Sequence, residues 1–118
     1  MKACILQFGD KEWQCDYAAT FFERGMGLLG RKAYPNGKIF VIPKCGSVHT
    51  WFMQFNLDIV FLDKRGKVLK IKNNVPPWRM IFGGSGAVTT LEAISISGEA
   101  SEASVFDGIC VGDTLVLK

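Results

Sequence analysis

The sequence predicts a mainly β or α+β domain: a compact, curved antiparallel sheet or partly open barrel with one short helix near the N-terminus. Three observations carry this. Short runs rich in β-branched and aromatic residues recur along most of the 118 residues. Turns containing Gly separate several of them at hairpin spacing, with no alternation of strand and helix, which disfavours a parallel doubly wound sheet. Only the stretch after Thr20 has a convincing helical pattern. The length suits a single domain, 1–118.

Residues 3–8 and 11–16 read as a hairpin turning at Gly9-Asp10. That turn sets Phe8 opposite Lys11, Leu6 opposite Trp13 and Cys4 opposite Cys15. A period of two gathers Cys4, Leu6, Phe8, Trp13 and Cys15 on one face, with Gln7, Glu12 and Gln14 on the other. The opposed cysteines are expected to be packed thiols rather than a disulfide.

Thr20-Phe-Phe-Glu23 is a capping box, in which the hydroxyl and the carboxylate each satisfy an orphan N–H. Phe22, Met26 and Leu29 then form one stripe, and Gly30 suits the left-handed position that ends a helix. Gly25 and Gly27 within it indicate close backbone approach to a neighbour. Pro35-Asn-Gly37 is a turn. Strands are expected over 38–42, 49–52 and 57–63, and Gly66 closes a hairpin connection into 67–72. Asn73-Asn-Val-Pro-Pro77 should break the ladder, because neither proline can donate to it. Residues 78–82 read as extended, 88–96 as a β-branched central strand, 97–104 as a polar loop and 114–117 as the last strand.

Composition excludes several function classes. A net charge of +3, from 14 basic and 11 acidic residues, is too small to argue for nucleic acid as a partner. Lys64, Arg65, Lys67, Lys70 and Lys72 form a local basic cluster, read as a solvated face with steering of an anion as the alternative. Met1-Lys2 does not open a signal peptide, and no run approaches the ~20 apolar residues of a membrane span. The expectation is a cytoplasmic protein. No CxxC, HxxxH or HxH pair is present, so no metal and no cofactor are expected. Gly83-Gly-Ser-Gly86 is followed by Ala-Val-Thr-Thr, not by the Lys-Ser/Thr and helix of a phosphate loop.

Residues 45–63 hold the single histidine, His49, among aromatics, followed by Met53 and Asp58. His49 is either a satisfied core residue or a group that exchanges protons near neutrality. Asp58 precedes an apolar strand and needs a partner there: Arg79, Arg24, Arg31, His49 or backbone N–H groups. Arg24 and Arg31 are seven apart and share a helix face, which suits a structural tie to Asp58 or Glu92, or a clamp on an anion. Glu92, within the central strand, is expected to be paired or on the solvent face.

Several ordered pieces resemble a known family. Ala18-Ala-Thr20, Arg24, Gly27-Leu28 and Arg31 come first, then Ile39-Phe-Val-Ile42. Cys45, His49-Thr50, Met53, Asp58, Phe61-Leu62-Asp63 and Gly66-Lys67-Val68 follow. Pro77-Trp78-Arg79, Leu91-Glu92, Gly98 and Gly112-Asp113 complete the series. Together, over roughly residues 15–117, they resemble the domain of unknown function 192 family; the polar stretch Ser97 to Val105 departs from it. The resemblance implies a small β-rich fold and no particular activity. It also places Arg24, Arg31, His49, Met53, Asp58, Arg79 and Glu92 on motif positions, and one shared ligand-binding cleft would account for them.

The leading expectation is a small binding or accessory domain for a polar or anionic small molecule, such as a sugar, with an aromatic-walled pocket. A hydrolase using His49 and Asp58 as an acid/base pair is the enzymatic alternative; it requires the two within hydrogen-bond reach. The third is a structural or protein-interaction module, with a homo-oligomer or protein partner contacting Trp78 to Phe82.

Overall fold

The N-terminal hairpin folds in the register its turn dictates. Strands β1 (Lys2–Phe8) and β2 (Lys11–Tyr17) pair Phe8 with Lys11, Leu6 with Trp13 and Cys4 with Cys15. Gly9 takes φ +59° in the turn, a conformation that costs glycine nothing. This computed structural model describes residues 2–18, 20, 37–51, 53–95 and 104–118. The remaining strands are β3 (Ile39–Pro43), β4 (Ser47–His49), β5 (Leu57–Leu62), β6 (Val68–Val75), β7 (Met80–Phe82), β8 (Thr89–Ile94) and β9 (Val116–Leu117).

Seven strands form one sheet in the order β6-β5-β8-β3-β2-β1-β9, antiparallel throughout except where β2 meets β3. The segment leading into β9 joins the two edges. Thr114 bridges Lys67, the Val68 N–H donates to the Asp113 carbonyl at 2.8 Å, and the Leu115 N–H donates to the Gly66 carbonyl at 2.9 Å. Two residues later Val116 and Leu117 pair with β1. The sheet therefore curls until residues 112–117 close it at one end, a solution that leaves fewer unpaired edges.

The curl divides the apolar residues into two clusters. Leu6, Cys15, Ile39, Val41, Val60, Leu62, Val68, Leu91 and Ala93 face inward, with Val105, Phe106, Ile109 and Leu115 packed among them. The predicted face of the first hairpin is part of this core, since Cys4, Phe8 and Trp13 pack against it. Phe40, Ile42, Leu57, Ile59 and Phe61 point from the other side of the same strands and meet Ala18, Met53 and Val75. Because β3 and β5 are covered on both faces, β3 reads as an unbroken apolar run and β5 as one interrupted only by Asp58. The separate β4–β7 ribbon lies over the second cluster through Val48 and Ile81.

Several boundaries differ from expectation. The helix expected over 20–30 lies outside the described residues, as does most of the 97–104 loop; no helix occurs among the described ones. The strand expected over 49–52 instead spans 47–49, and Trp51 sits in a turn. Asn73 and Asn74 do not break the ladder: β6 runs on to Val75. The register shifts between Leu57 and Ile59, and Asn74 takes φ +56°, so a bulge absorbs the irregularity before Pro76 is reached.

Candidate functional site

The β4–β7 ribbon is a short, two-faced element. Ser47 pairs with Phe82, Val48 with Ile81 and His49 with Met80. A period of two sends Val48 and Ile81 into the second cluster and leaves Ser47, His49, Met80 and Phe82 outward. Trp51 prolongs the outward face, its ring 5.1 Å from that of His49 and tilted by 33°. Trp78, held at φ +68°, stands just before β7. Exposure is 43% for Trp51, 59% for Trp78, 49% for Met80 and 60% for Phe82. Single exposed apolar residues are ordinary; here four lie in the ribbon or in the turns that flank it.

Thr50 anchors this ribbon. Its hydroxyl donates to the Pro76 carbonyl at 2.7 Å and accepts the Arg79 N–H at 2.9 Å. Its own N–H donates to the Arg79 carbonyl at 2.8 Å, and its carbonyl accepts the Trp78 N–H at 3.0 Å. At the other end the Gly83 N–H donates to the Gly46 carbonyl, and the Lys70 ammonium donates to the Phe82 carbonyl at 2.9 Å. These bonds hold the backbone at both ends of the ribbon.

Among the described residues, the charges beside it share one sign. Lys70 pairs with Phe61 and Lys72 with Ile59, which places both lysines on the ribbon's side of the sheet. Arg79 is exposed at the corner entering β7. From Lys64 to Leu91 the chain has Lys64, Arg65, Lys67, Lys70, Lys72 and Arg79 and neither Asp nor Glu. The cavities at the closure (about 310 Å³, beside Asp63, Gly66 and Leu115) and next to Cys4 and Cys15 (about 440 Å³) do not involve the ribbon.

Of the residues expected to share a cleft, the described ones are dispersed. Asp58 is buried on the inward side of β5, where it accepts the Asn74 N–H at 2.8 Å and the Ser95 hydroxyl at 2.7 Å on Oδ1, and the Ser104 hydroxyl at 2.8 Å on Oδ2. Its partners are neutral donors from three segments rather than arginine or histidine. His49 is exposed on the ribbon, so the acid/base pair of the hydrolase alternative is not formed. Glu92 points to the opposite side of the sheet from Asp58, registered between Phe40 and Ile59, and burial pushes its carboxyl up to about 7. It is neither solvated nor, among the described residues, ion-paired. Met53 is buried in the second cluster. Arg24 and Arg31 lie outside the described residues. Of the described members of the expected set, His49 and Arg79 are beside the aromatic face.

Cys4 and Cys15 are free thiols in hydrogen-bonding contact, and burial holds the Cys15 thiol at about 12, far from reactive thiolate. No cluster of metal-ligating side chains occurs among the described residues. Sequence reasoning placed Thr50 on a motif position but gave it no structural role, because its partners Pro76 and Arg79 lie 26 and 29 residues away.

Residues 4–116 match the DUF192 family, described as an uncharacterised ACR. The chain belongs to this family. A UPF0127 protein of Thermococcus sibiricus is 32% identical over 79 residues, covering 64% of this chain and 51% of that relative, so the match spans about half of the relative's length. Among solved structures, a protein of unknown function from Novosphingobium aromaticivorans superposes with a TM-score of 0.72 at 19% identity, over 97% of this chain and 83% of the other. A candidate transcription regulator from Sinorhizobium meliloti superposes with a TM-score of 0.74 at 17% identity, over 97% and 91%. These two likenesses show that the fold is shared. In this DUF192 domain no helix among the described residues is long and apolar enough to cross a membrane.

Proposed function

We propose that this DUF192 domain is a binding module that takes an anionic ligand on the outward face of the β4–β7 ribbon. The observation that carries this is the coincidence of exposed Trp51, Trp78, Met80 and Phe82 with flanking charges of a single sign, Lys70, Lys72 and Arg79. The rings and the thioether offer the apolar contact, and the basic side chains hold the anionic group. His49, stacked on Trp51, adds a donor and an acceptor at the same edge. The buried Asp58, with both oxygens occupied, takes a scaffold role in this reading.

The test is a tryptophan-fluorescence titration with two soluble anionic probes, a sulfated oligosaccharide and a short-chain alkyl phosphate. Saturable change with at least one probe is expected, weakened about tenfold by the Lys72→Gln and Arg79→Gln double substitution, as loss of charge-assisted contacts predicts. Emission unmoved by both probes and by vesicles of an anionic phospholipid would sink the proposal.

A further inference from the structure

We infer that the partner of this face is an anionic phospholipid surface, on which the domain sits with the β4–β7 ribbon inward. The inference rests on the binding-module reading and names its ligand. Two features of this face point to a lipid surface rather than a small soluble anion. Its composition is that of an interfacial contact: tryptophans settle at headgroup depth, while Met80 and Phe82 can enter the acyl boundary. The positive side chains stand beside the apolar ones, Lys70 bonded to the carbonyl of Phe82 itself, so apolar insertion and headgroup attraction operate together.

Neither signal alone holds a protein on a bilayer firmly; the two in combination do. The rigidity of the ribbon favours the same conclusion. Thr50, Gly83 and the buried Val48 and Ile81 hold its conformation, so insertion need not order a flexible loop. A single-stranded nucleic acid would use the rings as stacking platforms and the lysines as phosphate contacts. It would leave Met80, on the end rung of the ladder opposite His49, without a matching apolar phase.

The experiment is co-sedimentation of the full chain with vesicles of phosphatidylcholine alone and of phosphatidylcholine mixed with phosphatidylglycerol. Parallel arms use a single-stranded oligonucleotide and the soluble anionic probes. Expected is retention by the phosphatidylglycerol vesicles, a blue shift of tryptophan emission and release at high salt. Met80→Ala with Phe82→Ala should weaken retention about tenfold or more, and Lys72→Gln with Arg79→Gln should reduce it and flatten the salt dependence. Unchanged thermal melting of each variant separates lost binding from lost folding. Binding to the oligonucleotide or a soluble probe without vesicle retention overturns the lipid inference and leaves the anionic binding module standing. Retention that ignores both pairs of substitutions also overturns it. Failure in every arm removes both readings.

Discussion

Asp58 and Glu92 are buried carboxylates on adjacent strands, and their surroundings treat them differently. Asp58 meets one backbone N–H and two hydroxyls; Glu92 meets Phe40 and Ile59 across the ladders. The first fastens β5 to β6, to the end of β8 and to residue 104. The second has its proton held by desolvation. A carboxyl raised from 4.5 to about 7 keeps its proton in the folded state where the unfolded chain has lost it. Its stabilising contribution is therefore complete below pH 4.5 and disappears as pH rises through 7, a swing of roughly 3 kcal/mol. Glu92→Gln should flatten that part of the stability profile and exceed the parent in stability at pH 8, read from urea midpoints across pH. A parent midpoint constant from pH 4.5 to 7.5 would contradict the assignment.

At the scale of the element, the β4–β7 ribbon shows how little sequence is needed to hold an aromatic surface in place. Two inward residues, Val48 and Ile81, seat it on the sheet, and Thr50 ties its turn to the chain around Pro76 and Arg79. Thr50→Val keeps the shape but removes the hydroxyl, leaving the Arg79 N–H and the Pro76 carbonyl without their side-chain partner. The expected cost is about 1–3 kcal/mol. Hydrogen exchange should localise the loosening to β4 and β7 while β5 and β8 stay protected. Uniform loss of protection over the whole sheet would show that the ribbon is not a separate unit. The first hairpin was legible because its two-residue turn sets the pairing of every later residue. The ribbon was not, since β4 and β7 are three residues each and lie about thirty apart in sequence.

At the scale of the molecule, closure depends on one crowded crossing. Gly66 has φ +85°, and a Cβ there would run into the Leu115 carbonyl, the group that follows the bridge between Lys67 and Thr114. Gly66→Ala must therefore strain the backbone or part the seam, at a cost of about 1–3 kcal/mol. Thermal melting should show the loss, with increased exchange at Leu115 and Val68. A variant as stable as the parent would mean that the edges are not held together there. The sequence showed a glycine turn at this place, but not that a strand from the far end of the chain would cross it.

Local physics was readable from the residues alone: the hairpin register, the central position of β8 and the mainly antiparallel class. Each follows from side-chain alternation, turn chemistry or apolar content over a few residues. The family, too, was legible in short ordered motifs. The described members of the expected set do not share one surface, since motif positions share a sequence, not necessarily a surface. Asp58 and Glu92 belong to strands that pair directly, yet the pleat turns them to opposite sides. Burial, the neutral partners of Asp58, the closure at Gly66 and the aromatic face of the ribbon all depend on contacts between distant segments. Those contacts exist only once the sheet has curled, and tertiary structure alone decided them.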